Sequence, residues 1–310
     1  MKNKSFTSGM VLFLIAIFVV SSCDKEPVRP TFPLSAVIFH SVVDKQVAFT
    51  ALTHSATSWL WDFGDGNTST EQNPVYVYES GGYYVATLTA TDGSGNSVVA
   101  EVNLAVALTP YVLLTGGPTA TNGKTWKLSA NHSATDRFAD ADADFSEVEA
   151  LPQGAFDLYL GMGEVYNDEF TFHFDGGYGH DTKEDGAAFS GYVYQLVTTG
   201  GAGIKNAGGA AFGLCTASYT PESGATFTYV ENEDLNVPSV YGPGGVMTYK
   251  NVSTLDFSGT EFLGFWDFQK KIIVKEVKDK SMQVVMFMAA SPDHLPLNTH
   301  ALVLTFDAVN

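Results

Sequence analysis

Between residues 35 and 108 apolar side chains recur at every second position in short runs. Val47, Phe49 and Ala51 share one face of an extended segment, Trp59 and Trp61 keep the same period, and Val75 and Val77 repeat it. Tyr83, Val85, Thr87 and Thr89, then Val98, Ala100, Val102 and Leu104, continue the pattern. A period of two sends alternate side chains to opposite faces of a strand. Turn clusters separate the runs: Gly64-Asp65-Gly66-Asn67, Gly81-Gly82 and Asp92-Gly93-Ser94-Gly95-Asn96. Glycine supplies positive φ there, and Asp and Asn supply side-chain acceptors. About seventy residues of such short strands predict an Ig-like sandwich.

Residues 109–123, with Pro110 and Gly116-Gly117-Pro118, read as a linker. Beyond it, residues 124–310 form a second and larger β unit. Its strand candidates are 125–128, 169–174, 191–197, 224–230, 255–257, 271–277, 281–289 and 301–306. A set of this size fits a jelly-roll-like sandwich. Residues 147–158 hold one short helix, and the glycines flanking Ile204-Lys205 predict a tight loop. The fold class is therefore all-β, an Ig-like sandwich followed by a larger β-sandwich.

The N-terminus breaks this pattern. Lys2 and Lys4 precede an unbroken apolar run over 10–20, followed by Ser21-Ser22-Cys23. A basic start, a short apolar stretch and small residues make 1–22 a secretory signal peptide. The run falls short of the ~20 residues that span a bilayer. Its end resembles the lipobox of bacterial lipoproteins, which implies a mature chain beginning at an acylated Cys23 and held by a lipid anchor. Asp24-Lys25-Glu26 resembles the acidic export tags of Bacteroidetes surface lipoproteins, implying an outer-membrane, cell-surface location. Pro27, Pro30 and Pro33 make 23–34 an extended tether that cannot pair in a sheet.

Charge narrows the ligand. The net charge of −18 becomes −20 once Lys2 and Lys4 leave with the signal. Nucleic-acid backbones need clustered Lys and Arg, so no nucleic-acid partner is expected. Anionic polysaccharides are disfavoured for the same reason, and neutral partners, or ligands held through a cation, fit better. Of the two cysteines, Cys215 lies in an apolar run with no partner and reads as a buried core residue.

Trp61-Asp62-Phe63-Gly64-Asp65-Gly66, then Asn73-Pro74-Val75-Tyr76-Val77-Tyr78, Gly82-Tyr83-Tyr84-Val85 and Asp92-Gly93-Ser94-Gly95, resemble a PKD (polycystic kidney disease) domain over residues 35–108. In that reading Trp61 and Phe63 enter the core, while Asp62 and Asp65 accept turn amides. The resemblance implies a spacer or adhesion module.

Catalytic patterns are sparse. There is no Gly-x-Ser-x-Gly elbow and no His-Glu-x-x-His. Glu164, Asp168 and Glu169 cluster in sequence, but glycoside hydrolysis needs two carboxyl groups set ~5–9 Å apart, and Glu169 alternates with strand phenylalanines. His173 and His180 are an isolated pair without a third metal ligand. Asp136, Asp140, Asp142 and Asp144 offer clustered oxygens for calcium outside an EF-hand, because Phe145 and Leu151 stand where that loop needs Gly and Glu. The competing reading is a solvated acidic loop. No catalytic residue and no other cofactor are assigned, and the chain is expected not to be an enzyme.

Sugar rings bind on flat aromatic faces with a few hydrogen-bonding partners. The candidate platforms are Trp266, Tyr178, Tyr241 and Tyr166, with His180, Asp181 and His132 as polar edges; Trp126 reads as core. Tyr178 and Tyr241 stand among glycines and prolines and are favoured as exposed. Gly123-Lys124-Thr125-Trp126-Lys127-Leu128, the run from Val165 to Phe172, and Leu255-Asp256-Phe257-Ser258-Gly259 resemble glycan-binding outer-membrane lipoproteins of Bacteroidetes polysaccharide-utilisation systems. That resemblance implies capture of a neutral polysaccharide, such as the β-1,3-glucan laminarin, for a neighbouring outer-membrane transporter complex. A glycoside hydrolase or lyase with unread motifs and a surface adhesion protein are the alternatives.

Overall fold

A computed structural model describes residues 32–309. The signal segment, Cys23 and most of the tether lie outside the described residues. The first unit runs through β1 (Ser35–Val43), β2 (Gln46–His54), β3 (Ala56–Asp62), β4 (Thr68–Ser69), β5 (Val75–Val77), β6 (Gly82–Asp92) and β7 (Ser97–Val106). These make two facing sheets, ordered β1-β2-β5 and β4-β3-β6-β7. Alternate residues of both turn inward, so Val47, Phe49, Trp61, Phe63, Tyr78, Tyr84, Leu88 and Leu104 share one core. Each fully buried large side chain there contributes roughly 1.5–3 kcal/mol.

The aspartates of this unit do turn work. Asp62 Oδ1 accepts the Gly64 amide at 2.9 Å, and Asp65 Oδ1 accepts that of Asn67 at 3.0 Å. The Tyr76 hydroxyl donates to Asp65 Oδ2 at 2.7 Å, stacking that ring on Phe63. Gly64, at φ +80°, lies so close to the Val85 carbonyl that a Cβ would sit 2.5 Å from its oxygen. Only glycine fits there.

The second unit comprises α1 (Pro110–Thr115), β8 (Lys124–Leu128), β9 (Arg137–Asp140), β10 (Glu147–Ala150), α2 (Ala155–Leu160), β11 (Glu169–Phe172), β12 (Tyr178–Asp181), β13 (Ala187–Gly191), α3 (Tyr192–Thr199), β14 (Ile204–Asn206) and β15 (Leu214–Ser218). It ends with β16 (Phe227–Pro238), β17 (Val246–Phe257), β18 (Ile272–Val277), β19 (Ser281–Met288) and β20 (His300–Ala308). One ten-stranded sheet follows the order β12-β11-β8-β20-β19-β18-β17-β16, with β9 and β10 joined beside β20; β13-β15-β14 is a separate small sheet. The large sheet curls until its ends meet. The Tyr178 amide donates to Ala225 O at 2.9 Å and the Phe227 amide to Gly176 O at 3.0 Å. Edge groups that would otherwise stay unpaired are thereby satisfied.

The curl explains why the last strands read as continuous apolar runs. Ile272, Val274, Val284, Met286, Leu302 and Leu304 face the core around Trp126, Phe170 and Phe172. Their neighbours Ile273, Val285, Phe287 and Val303 face a second core with Leu235, Val237 and Tyr249, on the far halves of β16 and β17. Register shifts between Val230 and Leu235 let β16 bend from one core to the other. The all-β expectation is met, with an Ig-like sandwich before a larger β-sandwich.

Three local expectations change. Residues 109–123 include α1, whose Leu114 is buried in the sandwich core and accepts the Trp126 Nε1–H at 2.9 Å. Residues 147–158 divide into β10 and α2 because Pro152 stands between them. Residues 191–197 form most of α3 rather than a strand. Gly200 closes that helix in the left-handed conformation, and the Thr198 and Thr199 hydroxyls bond back to Tyr194 O and Gln195 O.

Candidate ligand-binding site

The residues proposed as a sugar platform are scattered, and several face inward. Tyr178 is a correction. It is 5% exposed, packs against Phe172 and Phe257, and its hydroxyl donates to Phe262 O at 2.5 Å. Its glycine-rich surroundings form a strand that seals the curled sheet, not an open turn. His180 is also turned inward, its side chain fully shielded, with Nε2 3.7 Å from Asp168 Oδ2 and Nδ1 3.4 Å from Glu261 Oε2. Burial alone would lower its pKa, but the two flanking carboxylates outweigh that and raise it.

His132 and Tyr166 belong to another interior network. His132 Nδ1 meets Asp136 Oδ2 at 3.1 Å, its Nε2 meets the Tyr166 hydroxyl at 2.9 Å, and that oxygen accepts the Phe156 amide. Asp181 is exposed but paired with Lys183 at 2.8 Å. Trp266 is half-buried, stacked on Phe262 and edge-on to Tyr219. Tyr241 alone keeps the expected openness, 45% exposed, with its hydroxyl donating to Asp140 Oδ1 at 2.7 Å.

The four aspartates do not converge on a cation. Asp136 is buried and accepts bonds from Ser133, Gln283 and Thr305. Burial would raise its pKa, yet the hydrogen bonds from His132, Ser133 and Thr305 outweigh it and hold it down at about 2. Asp140 accepts from Tyr241, Asp142 accepts the amides of Asp144 and Ser146, and Asp144 stands exposed. Among the described residues no group of three or more His, Cys, Asp or Glu is placed to hold a metal ion. Asp136 is consumed inside the fold and Asp142 closes a turn, so the four carboxylates form no single cluster.

The structure assembles a different aromatic site. Between α2 and the glycine-rich turn before β15 lies a groove of about 540 Å³. Its floor is Phe138, Leu151, Phe156 and Leu214, and Tyr159 and Phe212 form its walls at 66% and 55% exposure. Two left-handed glycines make this geometry. Gly154 and Gly161 cap the two ends of α2, so Phe156 points into the core while Leu158 and Tyr159 project outward. Gly208 lies so close to the Leu160 carbonyl that a Cβ would overlap it, which brings the 207–213 turn and Phe212 against the helix. Glu149, on the exposed edge strand β10, is the charged group at the rim.

A second pocket of about 520 Å³ is polar, with Lys127, Glu164, Glu169 and Lys183 among its walls. Glu164 accepts Asn206 Nδ2 at 2.9 Å, and Glu169 pairs with Lys183 at 2.7 Å. Asp168 is absent from its walls, being turned inward to His180. Cys215 is buried in β15, and burial raises its thiol pKa to about 12.

The PKD domain family profile matches residues 34–106. Those residues form a PKD domain. Curated relatives align only there. Collagenase ColQ1 of Bacillus cereus (strain Q1) is 51% identical over 49 residues, 16% of this chain and 5% of that protein. The pre-pro-metalloprotease PrtV of Vibrio cholerae serotype O1 is 55% identical over 40 residues, 13% of this chain and 4% of that protein. The chain thus spans a small fraction of the length of these relatives, and their proteolysis remains theirs. The solved PKD1 domain of Vibrio cholerae PrtV covers 25% of this chain and 100% of its own, at 32% identity and a TM-score of 0.24. A solved structure of carbohydrate-binding modules from the β-sandwich superfamily covers 91% of this chain and 94% of its own, at 14% identity and a TM-score of 0.26. A superposition that loose carries no argument about a ligand.

Proposed function

We propose that this protein is a lipid-anchored cell-surface glycan-binding protein in which the PKD domain spaces a β-sandwich that captures a neutral polysaccharide without transforming it. The groove between Tyr159 and Phe212 carries this reading. Two exposed rings flanking an apolar floor fit the C–H faces of sugar units, and Glu149 at the rim fits a hydroxyl. The net charge of −18 favours an uncharged chain as ligand. Anchoring through Cys23 and an outer-membrane location, supported by the residue pattern of the N-terminus, and delivery to a transporter complex, supported by the resemblance of the second domain's residue runs, complete the proposal.

Affinity electrophoresis in gels cast with laminarin, other neutral glucans, mannan and xylan tests it. Retardation by at least one glycan, lost in Tyr159→Ala/Phe212→Ala, is expected. Retardation by none, or retardation that survives the double substitution, overturns the groove reading.

Adhesion to a protein partner is favoured by one other observation. Val37, Phe39, Val43, Leu52, Val75 and Val77 lie exposed on one face of the β1-β2-β5 sheet. Register places Val37 opposite Leu52 and Val43 opposite Gln46, which in turn faces Val77. An apolar face of this kind is an interaction surface in many soluble proteins.

A further inference from the structure

We propose that the crevice between the PKD domain and the sandwich is a second saccharide subsite, taking a neutral sugar unit against Tyr83 of the first domain and Asn122 and Asp279 of the second. The proposal rests on the glycan-binding reading above, and it gives the PKD domain a part in recognition as well as spacing. The crevice encloses about 460 Å³, within the ~300–1,000 Å³ common for small-molecule sites, which favour domain interfaces.

Its walls are fixed before any ligand arrives. The Tyr83 hydroxyl donates to Asp279 Oδ1 at 2.7 Å, and the Thr119 hydroxyl donates to Tyr83 O at 2.6 Å. Gly117, at φ +80°, lies so close to Gly82 that a Cβ would sit 3.1 Å from its Cα. Backbone therefore packs on backbone across the junction. A preset site avoids the ordering cost that a mobile one would meet on binding.

The chemistry selects the ligand class. Lys124 is only 6% exposed; its Nζ donates to Asp279 O at 2.5 Å, lies 3.6 Å from Asp279 Oδ1 and stands over the Trp126 ring. The ammonium is thus spent inside the protein, and among the described residues lining the crevice no other cation stands ready for a phosphate or carboxylate ligand. The Tyr83 hydroxyl bond, with Lys124 beside it, outweighs the effect of burial and lowers the Asp279 pKa, so the carboxylate stays ionised yet locally neutralised. Formal charge in the crevice is balanced within a chain of net charge −18. The crevice is lined by a phenol ring, a carboxamide, threonine hydroxyls and a carboxylate that can accept. A polyol with both donors and acceptors matches that set. Two subsites engaging one polysaccharide would raise avidity well above that of either alone.

Titration calorimetry of the full chain with laminarihexaose and with cellohexaose tests this. Two sites per chain are expected for at least one sugar, with one site lost in Tyr159→Ala/Phe212→Ala. Thr121→Ala/Asn122→Ala changes two exposed side chains and should weaken the remaining site at least tenfold, with an unchanged melting temperature confirming the fold. A single site that vanishes in the groove variant and ignores the junction variant overturns the second subsite while the groove stands. A single site with the opposite response keeps the junction subsite and removes the groove. Binding unaffected by either pair, or no binding at all, overturns both.

Discussion

The PKD domain and the sandwich bury different chemistry. Among the described residues, no charged side chain of the PKD domain is buried; Asp62, Asp65 and Asp92 stay at turns and accept amides two residues away. The sandwich takes Lys124, Asp136, Asp168, Glu261 and Asp267 into its interior. Asp136 is satisfied by Thr305, 169 residues distant in sequence. A unit closed by local turns can fold without the rest of the chain. A unit whose buried charges depend on remote partners holds one arrangement of its loops, which a groove such as that beside Tyr159 requires. The cost is that buried carboxylates, Asp267 above all, tie the stability of the second unit to pH.

The harshest way to break that contrast is Trp61→Ala. Trp61 is fully buried against Phe49 in the smaller core. Truncating a core tryptophan costs about 3–5 kcal/mol, most of the margin of a small domain. Calorimetry should show the PKD transition lost or far below its normal temperature, with the sandwich transition nearly unmoved. A common shift of both transitions would mean that the two units unfold together.

Asp267 sharpens the pH side. Its carboxyl is buried, its Oδ2 has no partner, and it presses against Gly191, where a Cβ would overlap that oxygen. Burial raises its pKa to about 7, against 3.8 ordinarily, only partly offset by the Phe268 and Ala289 amides. The folded state therefore keeps a proton that the unfolded state releases. This contribution is complete below pH ~4 and is lost as pH rises through about 7, a change on the order of 4 kcal/mol. Asp267→Asn should remove most of the slope in urea-unfolding free energy between pH 4 and 7 and be the more stable protein at pH 8. A slope unchanged by the substitution would contradict the assignment.

Tyr178→Phe asks whether that residue is structure or platform. The hydroxyl satisfies the Phe262 carbonyl inside the protein, so its removal should cost about 1–3 kcal/mol and leave glycan retardation unchanged. Loss of binding without loss of stability would return Tyr178 to the surface role that its sequence context predicts.

That misplacement shows which signals were local. The PKD domain was legible because Trp61-Asp62-Phe63-Gly64-Asp65-Gly66 contains its own turn and core anchors within six residues. Tyr178 sits among glycines equally typical of an open turn; only the meeting of β12 with the Ala225 segment closes it in. His180 and His132 looked like polar edges, but their partners come from distant parts of the chain, such as Glu261 and Tyr166. Tyr159 and Phe212 are hard to read as surface rings from the sequence for the converse reason. Tyr159 lies in a six-residue helix too short to show a period, and what exposes it is the pair of left-handed glycines at its ends. Phe212 carried a readable signal, a lone aromatic within Gly208-Gly209-Ala210-Ala211-Phe212-Gly213, where a large ring has little of its own turn to pack on.

The mildest test is Tyr83→Phe, which removes the hydroxyl bond to Asp279 across the junction and keeps the ring. The pair is partly solvent-exposed, so its loss should cost no more than about 0.5–1.5 kcal/mol. Thr119 would still donate to Tyr83 O, and Gly117 would still lie against Gly82. Backbone packing should therefore hold the two domains together, and small-angle scattering of the variant should match that of the parent. An increase in the radius of gyration would show instead that one phenol–carboxylate bond keeps spacer and sandwich aligned. The contrast between a self-contained PKD domain and a sandwich ordered by remote contacts would then fail at the boundary, because a polar contact in the first domain would control the orientation of the second.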